Sequence, residues 1–196
     1  MVLTNSDDVA ARVAELRNYG ASVPAWERHR GNLFDLPVYQ RVGYNYKLTD
    51  IQAAIGVEQA RKLPVIVARR REIARRYDEA LAHLPWLRLP REPAGRTHAY
   101  QSYVCLLEAG RNADLAALAG LRVRFWQHLA ESEVASVQGA QAMAAIDYYH
   151  RKYGWNPLEF PAAQQADAGT VSLPIYAGLT EEDQTRVIQA VCSFRP

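Results

Sequence analysis

The stretch Gly43-Tyr44-Asn45-Tyr46-Lys47-Leu48-Thr49-Asp50-Ile51-Gln52-Ala53-Ala54 crowds two aromatic rings, an amide and a cation just ahead of a helix start. Thr49 followed three residues later by Gln52 is a capping box, in which side chain and backbone satisfy each other's unpaired groups. Asp50 places a carboxylate in the first turn, where the helix dipole favours it. Asn45 and Lys47 are two apart, so an extended backbone turns both to one side. Lys supplies charge and Asn supplies donors, so that side could receive an anion. The same residues also fit a well-capped helix preceded by a loop with no chemistry of its own.

The elements that must position this stretch follow from pattern. Met1-Val2-Leu3-Thr4 is a short apolar run that reads as a strand in need of neighbours. Asn5-Ser6-Asp7-Asp8 then starts a helix with Val9, Val13 and Leu16 on one face and Gly20 as its stop. Residues 21–42 read as a long loop carrying Trp26, Arg28, His29, Arg30, Phe34 and Tyr39, and loops of that length are functional or disordered. His29 beside Arg30 could bind an anionic substrate or could be solvated surface. A helix from Asp50 to about Lys62 should bury Ile51, Ile55 and Val57. Pro64 suits the first turn of a second helix, about 65–83, with Ile66, Ile73, Tyr77 and Leu81 on its apolar side.

Pro85, Pro90, Pro93 and Gly95 mark a linker-like stretch. His98 to Glu108 reads as a strand, Leu115–Leu118 and Phe125–Leu129 as short helices, and 133–138 as a second strand. Tyr148, Tyr149 and Tyr153 lie with His150, Arg151 and Lys152 on a helix ending at Gly154, and aromatics so spaced read first as packing. Val171-Ser172-Leu173-Pro174 is a short strand. Thr180 caps a closing helix that buries Val187, Ile188 and Val191. The alternation over 98–196 predicts a small sheet with helices on one side.

Bulk properties exclude little. At 196 residues, 49% hydrophobic and 22% charged, the chain has the make-up of an ordinary globular protein. A net charge of +2 gives no general attraction to nucleic acid or anionic membranes. Between Arg61 and Arg91 nine basic residues face three acidic ones, which reads as a solvated helix face or, more sharply, as a nucleic-acid patch. No apolar run approaches the roughly 20 residues of a membrane span, and no signal peptide is visible, so the expected location is cytoplasmic. Cys105 and Cys192 have no metal or redox spacing and are expected to be reduced. Lys47, Lys62 and Lys152 are the only lysines among 23 basic residues.

Gly43–Ala54 resembles the G-Y-N-Y-[RK]-[ML]-T-[DE]-I-Q-A-A signature of the DegT/DnrJ/StrS family of pyridoxal-phosphate-dependent sugar aminotransferases, with Lys47 where Arg is more usual. Arg69–Tyr77, Gly139–Met143 with Tyr148-Tyr149, and Ser172–Thr180 are similar to later landmarks of that family. The likeness covers almost the whole chain, and the chain covers only the second half of the family. It implies an α/β fold: the C-terminal portion of an aspartate-aminotransferase-like, fold type I transferase. On that reading residues 1–62 are the tail of the large cofactor-binding domain, 63–97 the linking helix and linker, and 98–196 a small αβ domain.

The resemblance further implies pyridoxal 5'-phosphate as cofactor, a nucleotide-linked keto-sugar as substrate, glutamate as amino donor and a homodimer with shared active sites. Asn45 would hydrogen-bond the cofactor phosphate across the dimer, with Lys47 nearby. His29, Arg30 and Tyr44 become candidates for the substrate region. It places Met1 mid-domain, with the catalytic lysine and most cofactor contacts upstream, so this chain would hold no catalytic residue and would not be a competent aminotransferase alone. Some relatives are sugar dehydratases with histidine in place of that lysine. That reading, and one of a non-catalytic remnant or interaction module, stay open on sequence alone.

Overall fold

A computed structural model describes residues 2–21, 38–39, 41–108 and 114–196, which fall into two compact units, Met1–Arg61 and Lys62–Pro196. In the first unit, helix α1 (Asp7–Leu16) opens on Ser6, whose hydroxyl accepts from the Val9 N–H, with Asp7 and Asp8 in the first turn. No residue of α1 is buried. Residues 2–4 form no strand, and Leu3 is 85% exposed, because none of the described residues pairs with them.

The chain leaves α1 through Tyr19 and Gly20, both at positive φ. It is then bound to the motif by backbone: Asn18 and Asn45 form an antiparallel bridge, Tyr19 donates to the Tyr44 carbonyl at 2.9 Å and Tyr46 donates to Arg17 at 3.0 Å. The two strands approach so closely at Gly20 and Gly43 that a Cβ on either would strike backbone atoms of the other segment. The first residue of the motif is therefore glycine for a packing reason.

Helix α2 (Asp50–Leu81) corrects the expectation of two helices, since it runs unbroken through Pro64. Proline removes one N–H and leaves the Ala60 carbonyl without its helical donor. Ala60 is exposed, so water can satisfy that carbonyl, and the helix continues. Ile51, Ile55 and Val57 were expected to be buried and are 76%, 60% and 51% exposed, because no described element of the first unit covers them.

The second unit holds the core. The last third of α2 buries Ile73, Ala74, Tyr77 and Leu81. Strands β1 (Leu87–Arg88), β2 (Tyr103–Leu107), β3 (Val137–Gln138) and β4 (Thr170–Leu173) form an antiparallel sheet in the order β1-β2-β4-β3. The edge strand β1 falls inside the stretch 63–97. β2 is shorter than its sequence pattern because Tyr100 turns the backbone to φ 46°. Tyr103, on one side of β2, meets Tyr77 of α2 at 5.0 Å between ring centres. Leu106, on the other side, lies with Leu118 beside Gly169. Helices thus flank both sides of the sheet, not one.

Helix α3 (Leu115–Glu131), capped by Asp114, joins the two short helices expected there, since Gly120 weakens a helix without breaking it when Leu118, Leu121, Phe125 and Leu129 are buried on one stripe. Helix α4 (Asp147–Tyr153) stops at Gly154, φ 67°. Helix α5 (Pro161–Gly169) starts on a proline, which its first turn tolerates, and was not foreseen. Helix α6 (Glu181–Ser193) opens on Thr180, whose hydroxyl accepts from Asp183 N–H at 3.0 Å. Trp86, Phe125 and Phe194 close the core as a triangle with centroids 5.0–5.4 Å apart.

Candidate cofactor-contact turn

Each part of the Gly43–Ala54 turn has a local cause. The capping box forms in both directions: Gln52 N–H donates to Thr49 Oγ1 at 3.3 Å, and Thr49 N–H donates to Gln52 Oε1 at 3.0 Å. Ahead of it, Tyr44 and Tyr46 stack at 5.0 Å with planes 6° apart, as alternate residues of an extended segment should. Lys47 Nζ lies 4.6 Å from the Tyr19 ring centre, a cation–π contact that ties the lysine to the loop after α1. Asn45 is fixed by its backbone bridge to Asn18, while its exposed amide has no hydrogen-bond partner among the described residues. The turn therefore holds an amide and an ammonium on a fixed backbone in front of a helix N-terminus, a set of donors suited to an oxyanion. His29 and Arg30 lie outside the described residues.

The three lysines are all exposed. Lys152 reaches the Tyr148 hydroxyl at 3.1 Å and sits 5.3 Å from the rings of Tyr148 and Tyr153. Tyr148, Tyr149 and Tyr153, read from sequence as packing, form instead a surface cluster with Trp155, in which Tyr148 is 58%, Tyr153 51% and Trp155 40% exposed. Their rings pack on one another, Tyr153 and Trp155 at 4.8 Å. A seven-residue helix followed by Gly154 gives these side chains each other to lie against, and sequence spacing alone could not reveal that.

The arginine run is structural. Arg69 pairs with Glu72 and the Leu179 carbonyl, and Arg70 with the carbonyls of Tyr100 and Gln101. Arg75 pairs with Glu79, and Arg76 reaches the Glu181 carbonyl, Gln184 and Thr185 on α6. These contacts within the protein account for the arginines of this run as structural residues. Among the described residues, no group of three or more His, Cys, Asp or Glu side chains could hold a metal, and no helix is long and apolar enough to cross a membrane.

A small antiparallel sheet flanked by helices, and a long helix opened by an anion-ready turn, define an α/β protein with the architecture of part of a fold type I, pyridoxal-phosphate-dependent transferase. The sequence profile of the DegT/DnrJ/EryC1/StrS aminotransferase family matches residues 1–192, and the chain belongs to that family. It is 30% identical over 191 residues to a protein of Methanocaldococcus jannaschii and 29% identical over 196 residues to the spore coat polysaccharide biosynthesis protein SpsC of Bacillus subtilis. Both alignments cover 97% of this chain and 48% of the relative, so the chain spans about half the length of the relatives it matches. Among solved structures it is similar to the aminotransferase TlmJ of Streptoalloteichus hindustanus, with 26% identity, TM-score 0.72, and coverage of 95% of this chain and 44% of that one.

The cofactor of the family is pyridoxal 5'-phosphate. The Asn45 amide and the Lys47 ammonium fit its phosphate. Lys47, Lys62 and Lys152 are all exposed, and none stands in the desolvated setting that activates a Schiff-base lysine.

Proposed function

We propose that this chain is the C-terminal portion of an aminotransferase that acts on a nucleotide-linked keto-sugar in the cytoplasm, with glutamate as amino donor. Residues 1–62 complete the large domain, 63–97 link, and 98–196 form the small domain. The observation that carries this reading is the Asn45–Lys47 pair, held by a glycine-tight backbone and a reciprocal capping box, in a chain that belongs to an aminotransferase family. The polysaccharide role in the name of SpsC supports a sugar substrate.

The bound cofactor supplies the electron sink for amino transfer. This chain's residues position it. Asn45 donates its amide N–H to a phosphate oxygen of the cofactor held by the other subunit of a homodimer. Lys47 adds a positive charge, and Tyr44, with His29 and Arg30, borders the sugar. The exposed cluster at Tyr148, Tyr149, Tyr153 and Trp155 with Lys152 has rings for a base and a cation for phosphate, which supports a nucleotide on the sugar.

The test is glutamate-dependent formation of an amino sugar by the native protein. Borohydride reduction should fix the cofactor to a lysine other than Lys47, Lys62 or Lys152. Loss of water from the sugar without amine incorporation would assign a dehydratase, and a cofactor fixed to one of these three lysines would contradict the proposal.

A further inference from the structure

Helix α4 carries the exposed aromatic rings yet has little of its own to hold it to the body. None of its residues is buried. Its side-chain hydrogen bonds among the described residues stay within 147–155: His150 Nδ1 donates to the Trp155 carbonyl at 2.6 Å, Arg151 Nε to the Asp147 carbonyl at 3.3 Å, and Lys152 Nζ to the Tyr148 hydroxyl at 3.1 Å. The rings of Tyr149, Tyr153 and Trp155 lie against one another with planes 11–22° apart. A helix of seven residues does not hold by itself in water, so something outside it must fix where these rings stand.

Helix α5 supplies that support. Gln164 and Asp167, three apart in the helix, share one of its faces. Asp167 holds the chain that enters α4. One of its carboxylate oxygens accepts from the Gln138 side-chain amide, and the other accepts from the Ala142 N–H at 3.3 Å. The same Gln138 amide reaches the Asp167 and Ala140 carbonyls at 3.1 and 2.8 Å, which draws the turn after β3 onto α5. Ala142 and Ala144 are buried in that turn. Gln164 holds the chain that leaves α4, donating to the Pro157 carbonyl at 2.5 Å. Asp167 is tied in turn to α3: its carbonyl accepts from Arg122, whose guanidinium lies 4.8 Å from the Trp126 ring centre.

Both ends of the α4 segment are therefore fastened to one helix face. Releasing either end would leave the rings free to turn, and a stacked base depends on their alignment. We propose that Gln164 and Asp167 are positioning residues for substrate: they clamp the α4 segment so that its rings stand as a platform for the base of the nucleotide. Both act through α4 and not on the ligand. The proposal rests on the reading that this cluster takes the nucleotide end of the sugar.

The test pairs amide exchange with calorimetric titration of the native protein by UDP and by dTDP. Exchange should quicken about tenfold or more over 142–146 in Asp167→Ala and over 158–160 in Gln164→Ala, with the amides of β2 unchanged. The diphosphate that binds the unaltered protein should bind Asp167→Ala at least about fivefold more weakly, the lower end of what one stacked base is worth, and Trp155→Ala likewise. Asp167→Asn, which keeps an acceptor for Gln138, should lose less. The absorbance of the bound cofactor should be the same in all of them, whereas general loss of structure would alter it. Unchanged exchange in both clamp variants would overturn the clamp, whatever the protein binds. Quickened exchange with unchanged nucleotide affinity would overturn the role toward substrate. Saturation by neither diphosphate would overturn the nucleotide reading of the cluster, and with it that role.

Discussion

The two units are stabilised by different means. Among described residues of 1–61, Ala21 is the only buried hydrophobic side chain, whereas 62–196 holds Tyr77, Tyr103, Phe125 and Leu129 at full burial around a continuous core. The first unit is shaped by backbone bridges, two closely approaching glycines and a capping box, not by a buried core. It leaves Leu3, Ile51, Ile55 and Val57 in solvent. Precise local geometry without burial suits a segment whose work is to present groups to something else. Dense burial suits a segment that needs nothing else to fold.

That contrast can be broken most directly by core substitution. Phe125→Ala should cost about 3–5 kcal/mol in urea denaturation followed by far-ultraviolet circular dichroism, while Ile55→Ala should change stability by less than about 0.5 kcal/mol. Comparable costs would abolish the distinction. Removing the hydroxyl from buried Tyr103 (Tyr103→Phe) withdraws the hydrogen bond to half-exposed Asp78 and should cost about 1–2 kcal/mol by the same measurement.

Thr49→Ala should cost about 1 kcal/mol, and amide exchange over the first turn of α2 should show it while the core amides keep their protection. Loss of protection throughout 62–196 would mean that the turn is not a local device.

The smallest expected effect concerns pH. The hydrogen bond from Arg71 and that from the His98 N–H hold Glu92 below its ordinary value of 4.5. A depressed carboxyl stabilises the fold above its unfolded pKa, and that contribution is lost as pH falls through the lower folded value. Glu92→Gln should therefore flatten the acid limb of the stability profile below pH 4.5. Asp78, raised by burial, acts in the opposite sense: its contribution is present in acid and lost as pH rises through its folded value, so Asp78→Asn should remove a decline rather than a gain.

Much of this arrangement is legible in sequence where the cause is local. Thr49 with Gln52, Thr180 with Asp183, and Gly154 all act within four residues, and the structure has each in its expected role. What sequence hides is decided by neighbours distant in the chain. Pro64 reads as a helix start, yet an exposed Ala60 carbonyl lets α2 continue. Leu115–Leu118 and Phe125–Leu129 read as separate helices, yet burial of Leu121 and Phe125 carries α3 through Gly120. Tyr100 reads as strand, yet its ties to His98 and Arg70 turn it out of β2. Of the candidate site, the Asn45–Lys47 turn follows from spacing. The exposed Tyr148–Trp155 cluster does not, because it depends on which rings lack a covering element.

If the turn serves a site on another subunit of a homodimer, as proposed, mixing of subunits will reveal it. Subunits of the native protein carrying Asn45→Ala would be mixed under exchange conditions with subunits inactivated at their cofactor-binding lysine, each variant having little activity alone. If Asn45 acts across the dimer, each hybrid regains one intact site, and activity should return to roughly a quarter of that of the unaltered protein. No recovery, with hybrid dimers shown to form, would place Asn45 in its own subunit's site or in none.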